Sequence, residues 1–243
     1  MSGATNYYVD PRAVNGAYLE LDETESRHLV KVMRAKTGEI FWAIDGQGNK
    51  YRARIIESNP RKATAKILEH TRMENEPTSK VCLACGICRG AKMDYVVEKG
   101  TELGVAEFRF FISKRTRGDG IGEAKFERWN KLARSAAKQS MRTIIPKIHQ
   151  IVHFEGILSN RNEYDLALIA EIGADSNLGI DGDENRGDSA ILLVGPESGL
   201  SSEEMERARQ AGFKPLGLGP RRLRAETAAV VFVSVVMARL GEL

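Results

Sequence analysis

The chain has 243 residues, 42% of them apolar and 28% charged, with a formal net charge of +3. That balance suits one large globular domain or two ordinary ones, and it excludes a chain that is disordered throughout. The longest apolar stretch, Ala228 to Leu240, is broken by Ser234 and Arg239 and falls short of the ~20 residues a bilayer span needs.

Taken in chain order, the N-terminus "MSGATNYYVDPRAV" lacks a basic segment followed by an apolar core, so the expectation is no secretory leader and a cytoplasmic location. Short strands are predicted for "AYLEL", "IFWAID", "YRARIIE" and "KATAKILEH", with turn chemistry at Asp45-Gly46 and Gly48-Asn49. They read as a small β-barrel or compact sheet. One helix interrupts them, "ESRHLVKVMRAKTG", with Ser26 as its expected cap and Gly38 as its stop. The polar stretch at 73–79 reads as a linker, which places one domain at 1–72 and a second at 80–243.

From residue 80 the pattern becomes strand–helix alternation. "KVCLACGIC", "EFRFFIS", "DLALIA", "AILLVG" and "KPLGLG" read as strands, several apolar enough to be covered on both faces. "AKMDYVVEKGTELG" reads as a helix stopped by Gly104, and "KFERWNKLARSAAKQSMR" as a long basic one. Ser201 and Glu204 have capping-box spacing before "EMERARQA", with Gly212 as the stop. The fold class is therefore α/β with a mainly parallel sheet. The last helix is apolar nearly all round, which demands burial in the monomer's centre or at a subunit interface, and the interface is favoured.

Charge is unevenly spread. Residues 1–79 carry a net +1 and residues 151–243 a net −6, while residues 80–150 hold 15 basic against 7 acidic side chains, a net of +8. A basic middle segment suits a polyanion, or is simply a solvated helix face. Lys114, Arg115 and Arg117 cluster in "SKRTRGDG". Arg128, Lys131, Arg134 and Lys138 recur every three or four residues on one helix face, and Arg142 follows. Such rows can track phosphates without reading sequence.

The three cysteines, Cys82, Cys85 and Cys88, lack a fourth Cys or a His at ligand spacing and read as buried structural thiols. Asp181, Asp183 and Asn185 imitate the start of a calcium loop, but Arg186 stands where that loop needs glycine, so no metal is expected. Two glycine turns end predicted strands, Gly195-Pro196-Glu197-Ser198-Gly199 and Leu216-Gly217-Leu218-Gly219. Either is a tight turn or a place where backbone meets a ligand. Neither is a dinucleotide fingerprint or a phosphate-binding P-loop. No nucleophile stands in a hydrolase context, so if the chain is an enzyme, its electrophile is expected to come with a cofactor.

"HLVKVMRAKTGE", "EKGTELGV", "SKRT", "ERWNKLARSAAKQSMR", "LVGPESGLSSEE" and "LGLGPRRLRAETAA" together resemble the RsmE family of 16S ribosomal RNA uridine-N3 methyltransferases. The resemblance runs from about residue 28 to the end. It implies an N-terminal PUA-like β-barrel and a C-terminal SPOUT domain with a trefoil knot, S-adenosylmethionine as cofactor, 16S ribosomal RNA or the small subunit as partner, and a homodimer through the C-terminal helix. On this resemblance Gly195, Pro196, Glu197, Gly199, Leu216, Gly217, Leu218, Gly219 and Leu223 hold the cofactor. Lys114, Arg115, Arg117, Arg128, Lys138 and Arg142 face RNA. Glu226 acts as base and Arg224 as anion stabiliser, unless the two form an ion pair that only shapes the turn. A catalytically silent RNA-binding assembly factor on the same scaffold is the alternative. Two departures stand out: Ser198 replaces the middle glycine of the usual Glu-Gly-Gly and would be strained if that position has φ > 0. Asn6 stands where the family commonly has arginine before its aromatic pair.

Overall fold

The computed structural model describes residues 6–116, 122–175 and 188–243. The expected residue Arg117 and the acidic residues Asp181, Asp183 and Asn185 lie outside them. The described chain forms two units, one of 1–76 with 134–145, the other of 77–133 with 146–243. Residues 134–145, placed with the second domain on sequence, therefore cluster with the first.

In the first unit the strands are β1 (Tyr7–Tyr8), β2 (Val14–Asn15), β3 (Tyr18–Glu20), β4 (Ile40–Ile44), β5 (Asn49–Glu57) and β6 (Thr64–Arg72), with helix α1 (Glu23–Arg27) after β3. They form a six-stranded, barrel-like sheet ordered β1-β4-β5-β6-β3-β2, antiparallel apart from the β1–β4 pair. Alternation in β5 sends Tyr51, Ala53 and Ile55 into a core with Leu19, Leu21, Leu29 and Phe41. The turn before β5 is held by Asp45, whose Oδ1 accepts from Gln47 N at 2.8 Å and Asn49 N at 3.1 Å. Gly46 and Gly48 take the positive φ that this turn requires.

The helix here departs from the sequence reading. Asp22, not Ser26, is the cap, accepting from Glu25 N at 2.8 Å. Ser26 is buried and bridges strands instead, donating to Leu21 O and accepting from Ala63 N. The α-helix passes into one wide turn at 28–32 and ends where Arg34 turns left-handed, four residues before Gly38. Caps are short-range and legible; which of two neighbouring candidates is used depends on what the rest of the sheet presents.

In the second unit, β7 (Lys80–Gly86), α2 (Lys92–Glu102), β8 (Glu107–Ile112) and α3 (Glu123–Gln139) come first. Then follow β9 (Lys147–Ile148), β10 (Val152–His153), α4 (Phe154–Ser159), β11 (Leu166–Ala170), β12 (Ser189–Val194), α5 (Ser202–Gln210), β13 (Lys214–Leu216) and α6 (Ala225–Arg239). The sheet is parallel throughout, ordered β10-β8-β7-β12-β11-β13 with β9 beside β8. Strand alternation splits its core. Cys82, Ala84, Phe111, Ile169 and Leu193 face α4 and α5. On the other side Phe108 lies against Gly100 of α2, and Phe110 meets Trp129 of α3 edge to face at 4.9 Å. The capping box before α5 is present in full, with Ser201 and Glu204 each bonding the other's backbone. The three cysteines are buried and free. Among the described residues no group of side chains could hold a metal, and no helix is long and apolar enough to cross a membrane.

Candidate active site

The carboxyl ends of parallel strands collect loops, and open α/β sheets bind ligands there. β12 ends at Val194 in the center of the sheet, and its loop, 195–200, runs to the cap of α5. β13 ends at Leu216 on the sheet edge, yet α6 packs under β7 and β12, so residues 217–224 must bring the chain back across those ends. Both loops line one cavity of about 630 Å3, within the range of small-molecule sites. Its walls include Gly195, Pro196, Glu197, Gly199, Leu218, Gly219, Leu223 and Arg224 from the sequence-based set.

Glycine is needed here for two different reasons. Gly199 (φ +70) and Gly219 (φ +95) are left-handed, and nothing lies within 4 Å of where a Cβ would stand, so their backbone faces open space. Gly217 is the opposite case: a Cβ would collide with the carbonyl oxygen of Ala174, while its N–H donates to Asp175 O at 2.8 Å. Leu216 and Gly217 therefore do not line the cavity. Leu216 is fully buried, and Gly217 lets the return segment run tightly beside the loop after β11. That cradle fits an adenosyl group: bare backbone on two sides and apolar walls from Ile172, Val194, Leu200 and Leu223.

The left-handed residue of the first loop is Gly199, and Ser198 is not among the residues with positive φ. The expected strain at Ser198 is absent. Its hydroxyl donates to Arg115 O at 2.8 Å, and the Arg115 guanidinium reaches back to Ser198 O and Leu200 O at 3.4 Å.

A cation that sequence reasoning missed organises the charged side of the cavity. Lys92, in the first turn of α2, donates to Glu197 Oε1 at 2.8 Å and stands 4.0 Å from Glu226 Oε2. Arg89 N donates to the same Glu197 oxygen at 3.1 Å. These hydrogen bonds, Lys92 first, hold the Glu197 carboxyl below its usual range despite some burial, and Glu197 in turn raises Lys92. Glu197 thus staples the 195–200 loop to α2. Lys92 and Glu197 are 105 positions apart, and only their shared charge complementarity hinted at the pair. Arg224 is exposed, stands at the start of α6 with no capping bond from its side chain, and lines the cavity, but Glu226 does not line it. The Glu226 side chain is 15% exposed, and its Oε2 is enclosed with no hydrogen-bond partner. No ion pair joins Arg224 to Glu226 among the described residues, and the reading of the two as a mutual pair lapses.

The basic residues separate by burial. Arg115 is exposed, and Arg128 and Lys114 are largely exposed, with Arg128 2.8 Å from Asp94 and Lys114 2.7 Å from Glu203. Lys138 is mostly buried against Glu25 at 2.5 Å. Arg142 is 3% exposed and paired with Glu76 at 2.8 Å, so its charge is spent inside the first unit. Its assignment to RNA is corrected accordingly: sequence shows the charge but not the partner. Asn6 is likewise buried, and both its amide Oδ1 and Nδ2 lack a hydrogen-bond partner.

Comparison with known proteins fits this geometry. A model of an RNA methyltransferase domain matches residues 74–237, and one of an RNA methyltransferase PUA domain matches 21–68. A crystal structure of a ribosomal RNA small subunit methyltransferase E from Neisseria gonorrhoeae, bound to S-adenosyl methionine, superposes with a TM-score of 0.86 at 30% identity, covering 97% of each chain. The sheet, the cavity at its carboxyl ends and the PUA-like unit define a SPOUT-type RNA methyltransferase fold. Ribosomal RNA small subunit methyltransferase E of Bacillus subtilis is 31% identical over 87% of this chain and 86% of its own. The protein of that name from Mesomycoplasma hyopneumoniae is 32% identical over 84% and 88%. The chain belongs to the ribosomal RNA small subunit methyltransferase E, or RsmE, family.

Proposed function

We propose that this protein methylates N3 of a uridine in small-subunit (16S) ribosomal RNA with S-adenosylmethionine as donor. The observation that carries the reading is the meeting of the 195–199 and 218–219 turns in one cavity that Arg224 lines, with Glu226 behind its wall 4.0 Å from Lys92. Bound in that cradle, S-adenosylmethionine would supply an electrophilic methyl group on its sulfonium.

The chain's own residues answer the acceptor's chemistry. Uridine N3 carries a proton and is a poor nucleophile until it leaves. We assign that proton to Glu226, whose partly exposed side chain stands behind the cavity wall, 4.0 Å from Lys92. Arg224, exposed on the cavity wall, stabilises the negative charge left on the base. Lys92 keeps Glu197 and Glu226 from repelling each other across the wall. Apolar residues there exclude water from the transfer. Lys114, Arg115 and Arg128 grip the RNA backbone, and a base within folded RNA is splayed out before reaction.

Helix α6 buries Phe232, Val233, Val236 and Met237 in its own subunit and leaves Val230, Val231 and Val235 half-exposed, a face for a second copy in a cytoplasmic homodimer. Exposing small subunits from a strain lacking the gene to protein and labelled cofactor tests the whole reading: one uridine should gain label at N3. Label on a ribose or a base carbon overturns the N3 assignment. Failure to bind cofactor in calorimetry overturns the enzyme and leaves the silent assembly factor. Arg224→Ala should lower kcat roughly 100-fold with cofactor affinity kept; an unchanged kcat removes its role.

A further inference from the structure

The first unit holds an aromatic–guanidinium pair that none of this chemistry uses. The Arg134 guanidinium carbon lies 4.0 Å from the centroid of the Tyr8 ring. Tyr8 is half-buried in β1, in register with Ile44 of β4, so the sheet fixes the backbone that carries its ring. Arg134 is exposed on α3. Among the described residues it has no ion-pair partner: Asp10, whose carboxyl its charge helps to lower, is already held by Arg12 at 2.6 Å. Other bonds also tie this end of the helix to the unit. One turn on, Lys138 is bound to Glu25 at 2.5 Å, and its carbonyl accepts from Asn6 N at 3.4 Å.

What remains is a cation held on an aromatic ring by a rigid sheet and still open to solvent. A flat, weakly hydrated guanidinium is a good stacking partner for a nucleobase, and a lysine ammonium is not. Unpaired RNA bases are taken up in this way, stacked on aromatic rings or arginine planes. We propose that Tyr8 and Arg134 form a stacking step for one unpaired nucleobase of single-stranded RNA. The proposal rests on the RNA-binding reading above and adds a base contact on the first unit to the phosphate contacts argued for the second.

The test compares a ten-nucleotide oligouridylate with an abasic ten-nucleotide strand of equal charge, using the full chain and, as reference, small-subunit ribosomal RNA. Wild type should prefer the base-bearing strand. Arg134→Lys should remove roughly 5- to 100-fold of that affinity while leaving the salt dependence and the abasic strand's affinity unchanged. Tyr8→Leu, which keeps apolar volume, should do the same, and the two losses should not add. Thermal unfolding monitors the fold of each variant. Equal wild-type affinity for both strands, or Arg134→Lys binding as wild type does, overturns the stack. So does binding of ribosomal RNA with no binding of either short strand. A lowered unfolding temperature with the base preference intact would make the pair purely structural and overturn it as well. Loss of all RNA binding by wild type would instead sink the broader reading.

Discussion

At the amino ends of the parallel strands, Glu107 accepts from His149 at 2.7 Å and lies 3.6 Å from Lys80, and Arg109 donates to Tyr164 at 3.1 Å and Glu163 at 2.8 Å. At the carboxyl ends of the same sheet, Gly199 and Gly219 face open space, and a Glu226 oxygen has no donor. One sheet thus carries a closed polar network at one end and an unfinished one at the other. Buried polar groups are nearly always satisfied, so the unfinished end is where a ligand is expected to complete the bonding. The closed end ties the starts of the strands to their neighbours.

Breaking the open end at its backbone should cost most. Gly217→Ala drives a methyl into the Ala174 carbonyl, and because backbone cannot give way cheaply, the return segment must shift. Cofactor affinity should fall by 100-fold or more, about 3 kcal/mol, in calorimetry on protein whose circular dichroism stays native. Next comes Glu226→Gln, which keeps shape and removes the base. It should lower kcat by roughly 100-fold with little change in the KM for RNA. A kcat within twofold of wild type would end the proton-acceptor role.

The closed end should answer through stability. Glu107→Ala strips His149, Lys80 and Arg109 of their shared carboxylate and should cost about 1–3 kcal/mol in denaturant unfolding, with kcat unchanged. A loss of activity without a loss of stability would erase the contrast between the two ends. The smallest effect is a matter of pH. Burial alone would raise Glu107, but His149, Lys80 and Arg109 outweigh it and hold the carboxyl below its ordinary value. A depressed carboxyl stabilises the fold above its unfolded pKa and loses that contribution as pH falls through the lower native one. The unfolding-temperature gap between wild type and Glu107→Gln should therefore be constant near neutrality and shrink on acidification. A gap that widens in acid contradicts the sign.

What the sequence disclosed follows the range of the interactions involved. β11, β12 and the Ser201–Glu204 capping box are written in a few consecutive residues, and so are the turns at Asp45–Asn49 and Gly104. The two glycine loops were visible as turns, but their convergence depends on strand order, with β13 at the edge and α6 returning to the center, which no local pattern encodes. Lys92 went unnoticed because its partners lie 105 and 134 positions away. Arg142 misled for the same reason: Glu76, which neutralises it, sits 66 residues earlier.

The loop after β12 puts its left-handed turn on Gly199 and leaves Ser198 in ordinary backbone, bonded outward to Arg115. Adjacent positions in one motif thus carry unequal mutational freedom. A saturation library selected for cofactor retention should accept many residues at 198, alanine and asparagine among them, while 199 should favour glycine, with asparagine next. Drift in such a motif is then a record of backbone geometry, and a serine there is no sign of a failing enzyme.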